Sequence, residues 1–394
     1  MRRPFVEYRK KTGGANMRHT AILAATSAVV GTICGSAQAQ NSVTLYGIAD
    51  AGITYIHHAG GDQNQYSMTS GRLNATRWGL TGSEDLGTGL RAIFTLESGF
   101  SIADGAPDKS GTEFSRQAFV GVTDTRWGTL TLGRQYDPMT DLVQPNQADA
   151  YFGGLFTTPG DVDDADSNAR FNNSVKWLSS EWNGVRIGAA YAFGGVAGSV
   201  GSGQAFGGAV SWHTGPFSIG AGGMHIDNGN PTISARQTTA AESLFFTSIN
   251  SAYASASAIN ISRLAASYKL NTFTFGGYYS YAEYVPDGWS QFTKTERFRI
   301  GSAYVHWQVT PVVETQLAYN YMHSTGDSSA VYQTVTLGAL YDLSKRTAIY
   351  IEGGYGHANG SNGTGAAQAV IGAAMVDAGK PSQVLVTTGL RQLF

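Results

Sequence analysis

Four basic side chains stand where they could bind or orient anions. They lie in or beside stretches in which apolar and polar residues alternate, and they share the polar positions: Arg77, Arg116, Arg170 and Lys176. Because alternation sends successive residues of a strand to opposite faces, these bases would form one wall on a polar face. Arginine stays charged at any relevant pH and offers a fixed fork of donors, which suits this chemistry. The alternative for each base is a structural ion pair.

Acidic residues are concentrated in the segment "PGDVDDADSN", which holds four aspartates in six residues: Asp161, Asp163, Asp164 and Asp166. They could oppose the basic wall or simply face solvent in a loop. Their spacing superficially suggests calcium, but Ala165 and Asp166 stand where an EF-hand loop needs a ligand and its glycine. His57 and His58 have no partner at metal-ligand spacing, and nothing places Ser, His and Asp together as a hydrolase needs. We therefore expect no metal, no cofactor and no enzymatic activity.

The elements that position these residues are predicted to be β-strands. Period-2 alternation recurs along the chain; for example, Leu317, Tyr319 and Tyr321 alternate with Ala318 and Asn320. Seven short turns alternate with eight long polar segments, among them 57–71, 227–260, 323–330 and 357–380. These connections join 16 strands, at a spacing that fits strands of about 9–11 residues.

Sixteen strands in up-and-down order, with short turns at one end and long loops at the other, are typical of an outer-membrane β-barrel. In hydrocarbon every backbone N–H and C=O needs an internal partner, so a sheet can span only if it closes. The predicted fold is all-β: a 16-stranded antiparallel transmembrane β-barrel with short periplasmic turns and long extracellular loops. Its first strand (43–55) would pair with its last (384–394), and a barrel this wide leaves an aqueous channel.

Residues 1–39 are predicted to be a cleaved signal peptide. Arg18 precedes an apolar run from Ala21 to Cys34, followed by a small-x-small pattern that places cleavage after Ala39. The sixteen residues before Met17 are unusual for a signal sequence, so Met17 is an alternative start. The remaining domain, 40–394, has no cysteine and carries 20 basic and 27 acidic residues. Its net charge of −7 argues against nucleic acid as a partner.

The chain ends on an aromatic residue, Phe394, which shares the apolar face of the last predicted strand with Leu390. Aromatic girdles lie at both interfaces of outer-membrane barrels, so this end is expected to be pinned at the periplasmic interface. On the opposite, polar face of the predicted strands lie four further charged residues: Asp50, Arg91, Glu97 and Arg391.

Taken together, several stretches resemble the general porins of Gram-negative β-proteobacteria: "SVTLYGIADAG", "TRWGLTGSEDLGTGLRAIFTLESGF", "FSRQAFVGVTDTRWGTLTLGRQYDP", "ARFNNSVKW" and "GLRQLF". The resemblance covers 40–394 and implies a homotrimer in the outer membrane, surrounded by lipid and lipopolysaccharide. It also implies a third extracellular loop that folds inward to narrow the pore, and recognition of Phe394 by the barrel-assembly machinery. The departure is Gln392, where the family tends to have a basic residue or His.

On this resemblance Arg77, Arg116 and Arg170 supply the arginine cluster of the constriction, and the third loop (137–169) brings the four aspartates opposite. Facing charges across a narrow gap create a transverse field that orients polar solutes. The expected function is passive diffusion of small hydrophilic solutes and ions, weakly favouring anions because the arginines are on rigid strands. The alternative is adhesion or surface interaction through long loops, whose apolar patches include "AESLFFTSIN" and "AAQAVIGAAMV".

Arg134 is predicted to face outward, because it shares its face with Leu130 and Leu132. A lone arginine facing lipid costs about 2–4 kcal/mol at the bilayer midplane. We therefore predict that Arg134 lies at the trimer interface, paired with an acid of a neighbour's second loop: Asp104, Asp108 or Glu113. The alternatives are a bulge that reverses the parity of the strand, and snorkelling.

Overall fold

A computed structural model describes residues 42–237 and 239–394. The predicted signal peptide at 1–39, with its alternative start at Met17, lies outside the described residues. The described chain forms a single antiparallel sheet of seventeen β-segments, whose first and last segments pair with each other. The predicted closed, all-β barrel is therefore confirmed. Among the described residues, no helix is both long and apolar enough to span a membrane.

The β-segments are numbered in chain order: β1 Ser42–His57, β2 Asn64–Ser70, β3 Arg77–Gly87, β4 Leu90–Gly99, β5 Gln117–Asp124, β6 Gly128–Gln135, β7 Phe171–Leu178, β8 Val185–Ala192, β9 Ala205–Thr214, β10 Phe217–Asp227, β11 Ala258–Leu270, β12 Phe273–Val285, β13 Glu296–Thr310, β14 Val313–Thr325, β15 Ser329–Asp342, β16 Thr347–Ser361 and β17 Ser382–Leu393. Two short α-helices follow β6: α1 Pro138–Leu142 and α2 Asp149–Phe152. Short 3-10 helices cover Gln144–Asn146, Gly153–Phe156, Pro159–Asp161, Thr239–Ser243 and Ser251–Tyr253.

The seventeen segments make sixteen barrel strands, because β2 and β3 are two halves of one strand. β1 pairs with β3 from Ser42 to Ile48 and with β2 from Ala51 to His57. The chain leaves the sheet between the two halves, at 71–76. The predicted strand count is confirmed, but the predicted first loop is shorter, since 64–70 pair with β1. The predicted seventh loop is also shorter, because β14 and β15 leave only three residues between them.

The two faces of the barrel wall differ as the alternation predicts. On β14, Leu317, Tyr319 and Tyr321 are exposed, whereas Ala318 and Asn320 between them are buried. The exposed set is apolar and aromatic, which suits a lipid-facing surface. The buried set faces loops that fill much of the barrel interior.

Three long loops pack together inside the barrel: loop 3 (136–170), loop 5 (228–257) and loop 8 (362–381). Gly160 of loop 3 donates its N–H to the carbonyl of Gly372 in loop 8, at 2.9 Å. The Tyr253 hydroxyl of loop 5 donates to the carbonyl of Asn362, at 3.0 Å. Apolar side chains of all three loops are buried: Phe152, Phe156, Val162, Leu244, Ile249, Tyr253, Val370 and Ile371. We call these three loops the lumen plug.

The barrel wall makes room for the plug at specific glycines. A Cβ on Gly338 of β15 would lie 2.5 Å from a ring carbon of Phe152, and one on Gly354 of β16 would lie 2.8 Å from Ile371. Such contacts are shorter than van der Waals packing permits, so glycine at these wall positions lets loops 3 and 8 lie against the sheet. The open space is thereby left on the side of β2 to β7.

Candidate functional site

The site is a cavity of about 670 Å³ between the β2–β7 wall and loop 3. Four guanidiniums and three carboxylates are among its lining groups: Arg72, Arg77, Arg116, Arg170, Asp108, Asp149 and Asp166. Uncharged polar residues line it as well: Thr69, Ser70, Asn74, Thr76, Ser101, Tyr136, Thr140, Gln144, Ser167 and Asn168. A cavity with this lining suits hydrated, charged solutes, whereas a site for apolar ligands is lined mainly by hydrophobic side chains.

Three of the predicted wall bases are brought together here: Arg77, Arg116 and Arg170. Arg77 begins β3, and its Nε lies 3.7 Å from Oε2 of Glu97 on β4. Arg116 precedes β5 and donates from Nε to the other oxygen of the same carboxylate, at 2.9 Å. One buried carboxylate therefore serves two guanidiniums, which leaves an excess of positive charge on this wall.

Tyr136, the first residue after β6, joins Arg116 to Arg170. Its phenol oxygen accepts from Nη2 of Arg116 at 2.6 Å and from Nη2 of Arg170 at 3.0 Å. The guanidinium carbon of Arg170 also lies 3.9 Å from the centre of the Tyr136 ring, a cation–π distance. Tyr136 lies within one of the stretches that resemble porins, but strand alternation assigns it no role.

Arg72 is a fourth guanidinium that the sequence did not identify. It lies in the break between β2 and β3, and its Nη1 donates to the carbonyl of Ala374 in loop 8, at 3.3 Å. Because alternation carries information only within a strand, no parity argument reaches this residue. The sequence signal nearest to it is Gly71, because glycine readily adopts a positive φ and so favours a turn. In the structure Gly71 has a φ of 71° and begins the break between the two half-strands.

The acidic side of the cavity consists of Asp149 and Asp166 of loop 3. Asp108 of loop 2 (100–116) also lines the cavity, but on the arginine wall, since its N–H donates to the carbonyl of Gly99, the residue that pairs with Arg77. Burial raises the pKa of Asp149 to about 7. Burial, together with the nearby carboxylates of Asp149 and Asp164, also raises the pKa of Asp166 to about 7. Near neutral pH this side is therefore only partly charged, and the guanidiniums dominate the cavity.

The other three aspartates of the predicted acidic wall do not line this cavity. Asp161 accepts from the backbone N–H of Asp166 at 2.8 Å, and Asp164 accepts from that of Ala169 at 2.8 Å. Asp163 lies 3.5 Å from Nη2 of Arg263 on β11, the far wall. All three side chains are buried. These carboxylates contact the loop backbone and the far wall, so only Asp166 of the four lines the cavity. The predicted place of all four at a pore constriction stays a prediction.

Lys176 does not line this cavity either, and its predicted place in the basic wall of the constriction stays a prediction. Its Nζ donates to Oδ2 of Asp141 at 2.7 Å and to the carbonyl of Tyr136 at 3.0 Å. Helix α1 carries Asp141, so this ion pair anchors the start of loop 3 to β7. Loop 3 packs over a position that alternation alone had assigned to the open lumen.

The remaining predicted polar-face charges are spread along the barrel. Asp50 is buried and accepts from the Tyr350 hydroxyl at 2.6 Å. Arg391 donates to Asn74 at 3.0 Å and lies 3.7 Å from Asp342. Arg91 bonds Ser83 near the β3–β4 turn and is exposed. Glu97, described above, is the only member of this set that contacts the arginine cluster.

Arg134 lies at an irregularity in the sheet, where the β6–β7 register shifts between Gly133 and Gln135. A bulge at this position was one of the alternatives raised from the sequence. The guanidinium is mostly buried; its Nη1 bonds Asn172 and lies 3.0 Å from Glu242 of loop 5. Lys109 of loop 2 pairs with the same Glu242. Within one chain Arg134 thus has an acidic partner, and its predicted place at the trimer interface stays a prediction.

The terminal Phe394 continues the pairing of β17 with β1. Its N–H donates to the carbonyl of Gly47 at 3.1 Å, and its own carbonyl accepts from the Gly47 N–H at 3.0 Å. The ring lies where a Gly47 side chain would stand, since a Cβ there would be 2.3 Å from its Cζ. Phe394 remains about half exposed, which leaves the ring available at the barrel surface.

Comparison with known proteins identifies the family to which this barrel belongs. The family model of the Gram-negative porins matches residues 24–361. The chain belongs to the Gram-negative porin family. It is therefore a porin of the Gram-negative outer membrane, a class of channel proteins.

Individual porins match to different extents. An outer-membrane porin of Bordetella pertussis is 35% identical over 188 residues, which is 42% of this chain and 46% of the relative. Outer membrane porin protein 32 of Delftia acidovorans is 29% identical over 371 residues, covering 91% of this porin and 96% of the relative.

Solved structures also match the barrel. An anion-selective porin from Comamonas acidovorans has a TM-score of 0.70 at 24% identity, covering 90% of this porin and all of that chain. A trimer form of OmpT from Vibrio cholerae has a TM-score of 0.63 at 16% identity, covering 90% and 99%. At sequence identities this low, the structural similarity shows a shared fold.

Proposed function

We propose that this porin forms a passive diffusion channel for small hydrophilic solutes and ions, with a weak preference for anions. The observation that carries the proposal is the cavity lined by four guanidiniums and three carboxylates, of which Asp149 and Asp166 have pKa values raised to about 7. Positive charges fixed along a narrow, water-filled passage raise the local concentration of anions. The same positive field repels hydrated cations.

The similar Comamonas structure is described as an anion-selective porin. That description belongs to the relative, and the likeness between the two chains is one of fold. The proposal for this porin therefore rests on its own side chains, above all Arg77, Arg116 and Arg170 with their single shared acid, Glu97.

A homotrimer embedded in outer-membrane lipid and lipopolysaccharide is part of the same proposal. The OmpT trimer supports it by similarity of fold. The half-exposed Phe394 ring supports recognition of the C-terminus by the barrel-assembly machinery. The exposed apolar side chains of the barrel wall support contact with lipid acyl chains.

The alternative function, adhesion through apolar loops, has less support. The two apolar stretches that suggested it belong to loops 5 and 8, whose Leu244, Ile249, Val370 and Ile371 are buried in the lumen plug. A side chain packed inside the barrel does not contact an external partner. The burial of these stretches favours the channel over the adhesin.

The test is single-channel conductance of the purified porin in a planar bilayer, with the reversal potential measured under a salt gradient. We expect steps in groups of three and a reversal potential of the sign that anion permeation gives. A double variant, Arg116→Gln with Arg170→Gln, removes two cavity charges and should shift the potential towards cations. Arg346→Gln, an exposed arginine outside the cavity, is the matched control. Absence of conductance from folded protein would overturn the channel, and cation preference in the unmodified porin would overturn the anion preference.

A further inference from the structure

One neutral side chain occupies the centre of the arginine wall. The Tyr136 oxygen lies 2.6 Å from Nη2 of Arg116 and 3.0 Å from Nη2 of Arg170, and Tyr136 itself lines the cavity. Guanidinium groups only donate, so the phenol oxygen accepts both hydrogen bonds. These two bonds occupy its acceptor lone pairs, and its own O–H proton is left as a donor.

The backbone of Tyr136 is fixed from behind. Its carbonyl accepts from Lys176 at 3.0 Å, and Lys176 is held in turn by Asp141 at 2.7 Å. The next residue, Asp137, accepts from the N–H of Met139 at 2.7 Å and so begins helix α1. The backbone of Tyr136 is therefore held by the ion pair that anchors loop 3, and its ring is held by the two hydrogen bonds to Arg116 and Arg170.

We propose that Tyr136 determines specificity in this channel, and the proposal rests on the anion preference proposed above. Its oxygen sets the spacing of Arg116 and Arg170, and its hydroxyl proton bonds the oxygen of an oxyanion passing between them. The ligand class is the small oxyanion, a phosphate or carboxylate, which presents several acceptor oxygens to two guanidiniums and one O–H donor. Chloride is a single spherical acceptor and gains less from donors spaced for two oxygens.

Lys176 and Asp141 are positioning residues in this arrangement. They contact neither the passing solute nor the cavity, and they act only through the backbone of Tyr136 and through α1. This role accounts for a buried lysine on a strand face that the sequence assigned to the pore.

The experiment compares Tyr136→Phe with the unmodified porin in planar bilayers, using inorganic phosphate as the probe. Phenylalanine keeps the ring under Arg170 and every charge, and removes only the hydroxyl. We expect the concentration of phosphate that half-blocks the chloride current to rise about tenfold, the change that one charge-assisted hydrogen bond supports. The control is Tyr319→Phe, which removes a hydroxyl bonded to Gln333 on the exposed face.

The outcomes separate the two proposals. Weaker phosphate block in Tyr136→Phe, with Tyr319→Phe unchanged, supports the role of Tyr136. Equal block in Tyr136→Phe and the unmodified porin overturns it. A proportional change of conductance in every salt, with permeability ratios intact, also overturns it, because that result reports only pore width. If the unmodified porin prefers cations, the proposed anion preference fails, and the phosphate comparison still decides the role of Tyr136.

Discussion

Arg263 and Asp163 form an ion pair inside the barrel, with Nη2 3.5 Å from Oδ2 and both side chains buried. The pair joins the tip of loop 3 to β11, on the wall opposite the arginine cluster. Two hydroxyls of β12 hold the same stretch: Tyr284 donates to the carbonyl of Val162 at 2.6 Å, and Tyr278 bonds Thr158 at 2.6 Å. The position of loop 3, and hence the width of the cavity, depends on these contacts.

Replacing Arg263 by Met is expected to destabilise the porin by about 3–5 kcal/mol, since one charge of a buried pair loses its partner. Loop 3 should also become mobile, which appears as open-channel noise in single-channel records. Arg297→Met is the control, because Arg297 pairs with Glu283 at a partly exposed position where an ion pair contributes about 0–1 kcal/mol. Equal unfolding temperatures for the two variants would contradict this assignment.

The anion preference should fall as pH rises from 5 to 8.5. The pKa values of Asp149 and Asp166 are raised to about 7, so both carboxyls are neutral at pH 5 and charged at pH 8.5. Their ionisation adds two negative charges to the cavity and offsets part of the guanidinium field. Reversal potentials at the two pH values measure this change, and the double variant Asp149→Asn with Asp166→Asn should show a much smaller one. A preference independent of pH in the unmodified porin would contradict it.

Substitutions at Arg134 and Glu242 distinguish a role of Arg134 at the trimer interface from a role within one chain. If it serves the trimer interface, Arg134→Glu should lower the temperature at which trimers dissociate in detergent, while Glu242→Gln should leave it nearly unchanged. We expect this result from the alternation that assigns Arg134 to the face of Leu130 and Leu132. An equal loss in both variants would assign Arg134 to its intrachain contact with Glu242. Trimer stability unaffected by the charge reversal would remove Arg134 from the interface.

Removing Phe394 should reduce the amount of porin assembled in the outer membrane. The deletion takes away two backbone hydrogen bonds with Gly47 and the ring that lies against it. Phe394→Tyr keeps the bonds and the aromatic ring and should assemble normally. Conductance of the deleted protein refolded in detergent should match that of the full chain, because Phe394 is outside the cavity. Normal assembly of the deleted protein in cells would contradict a role in recognition.

The barrel could be predicted from the sequence because its determinants are local. Alternation along each strand records which side chains meet lipid, as Leu317 and Tyr319 show, and a sixteen-strand count follows from the turns. The same rule placed Arg77, Arg116 and Arg170 on one wall. It failed at Arg72 because the strand is broken there, and no alternation crosses the break between β2 and β3.

The lumen could not be predicted in the same way, because its structure depends on contacts between distant residues. Asp161 and Asp164 bond within loop 3, Asp163 meets β11 a hundred residues later, and Arg134 meets loop 5. The sequence does not show what covers the apolar stretches of loops 5 and 8, and an apolar stretch in a long loop is equally consistent with binding an external partner. Only the fold shows that these stretches pack against one another.

Because of the lumen plug, the circumference of the barrel and the width of the open passage are two separate properties. Sixteen strands set the circumference of the barrel, but the open cross-section is what loops 3, 5 and 8 leave unfilled. Substitutions in those loops can widen, narrow or recharge the passage while every strand keeps its register. Exclusion size in porins built on this plan is accordingly a property of loop sequence, and two barrels with equal strand number can admit different solutes.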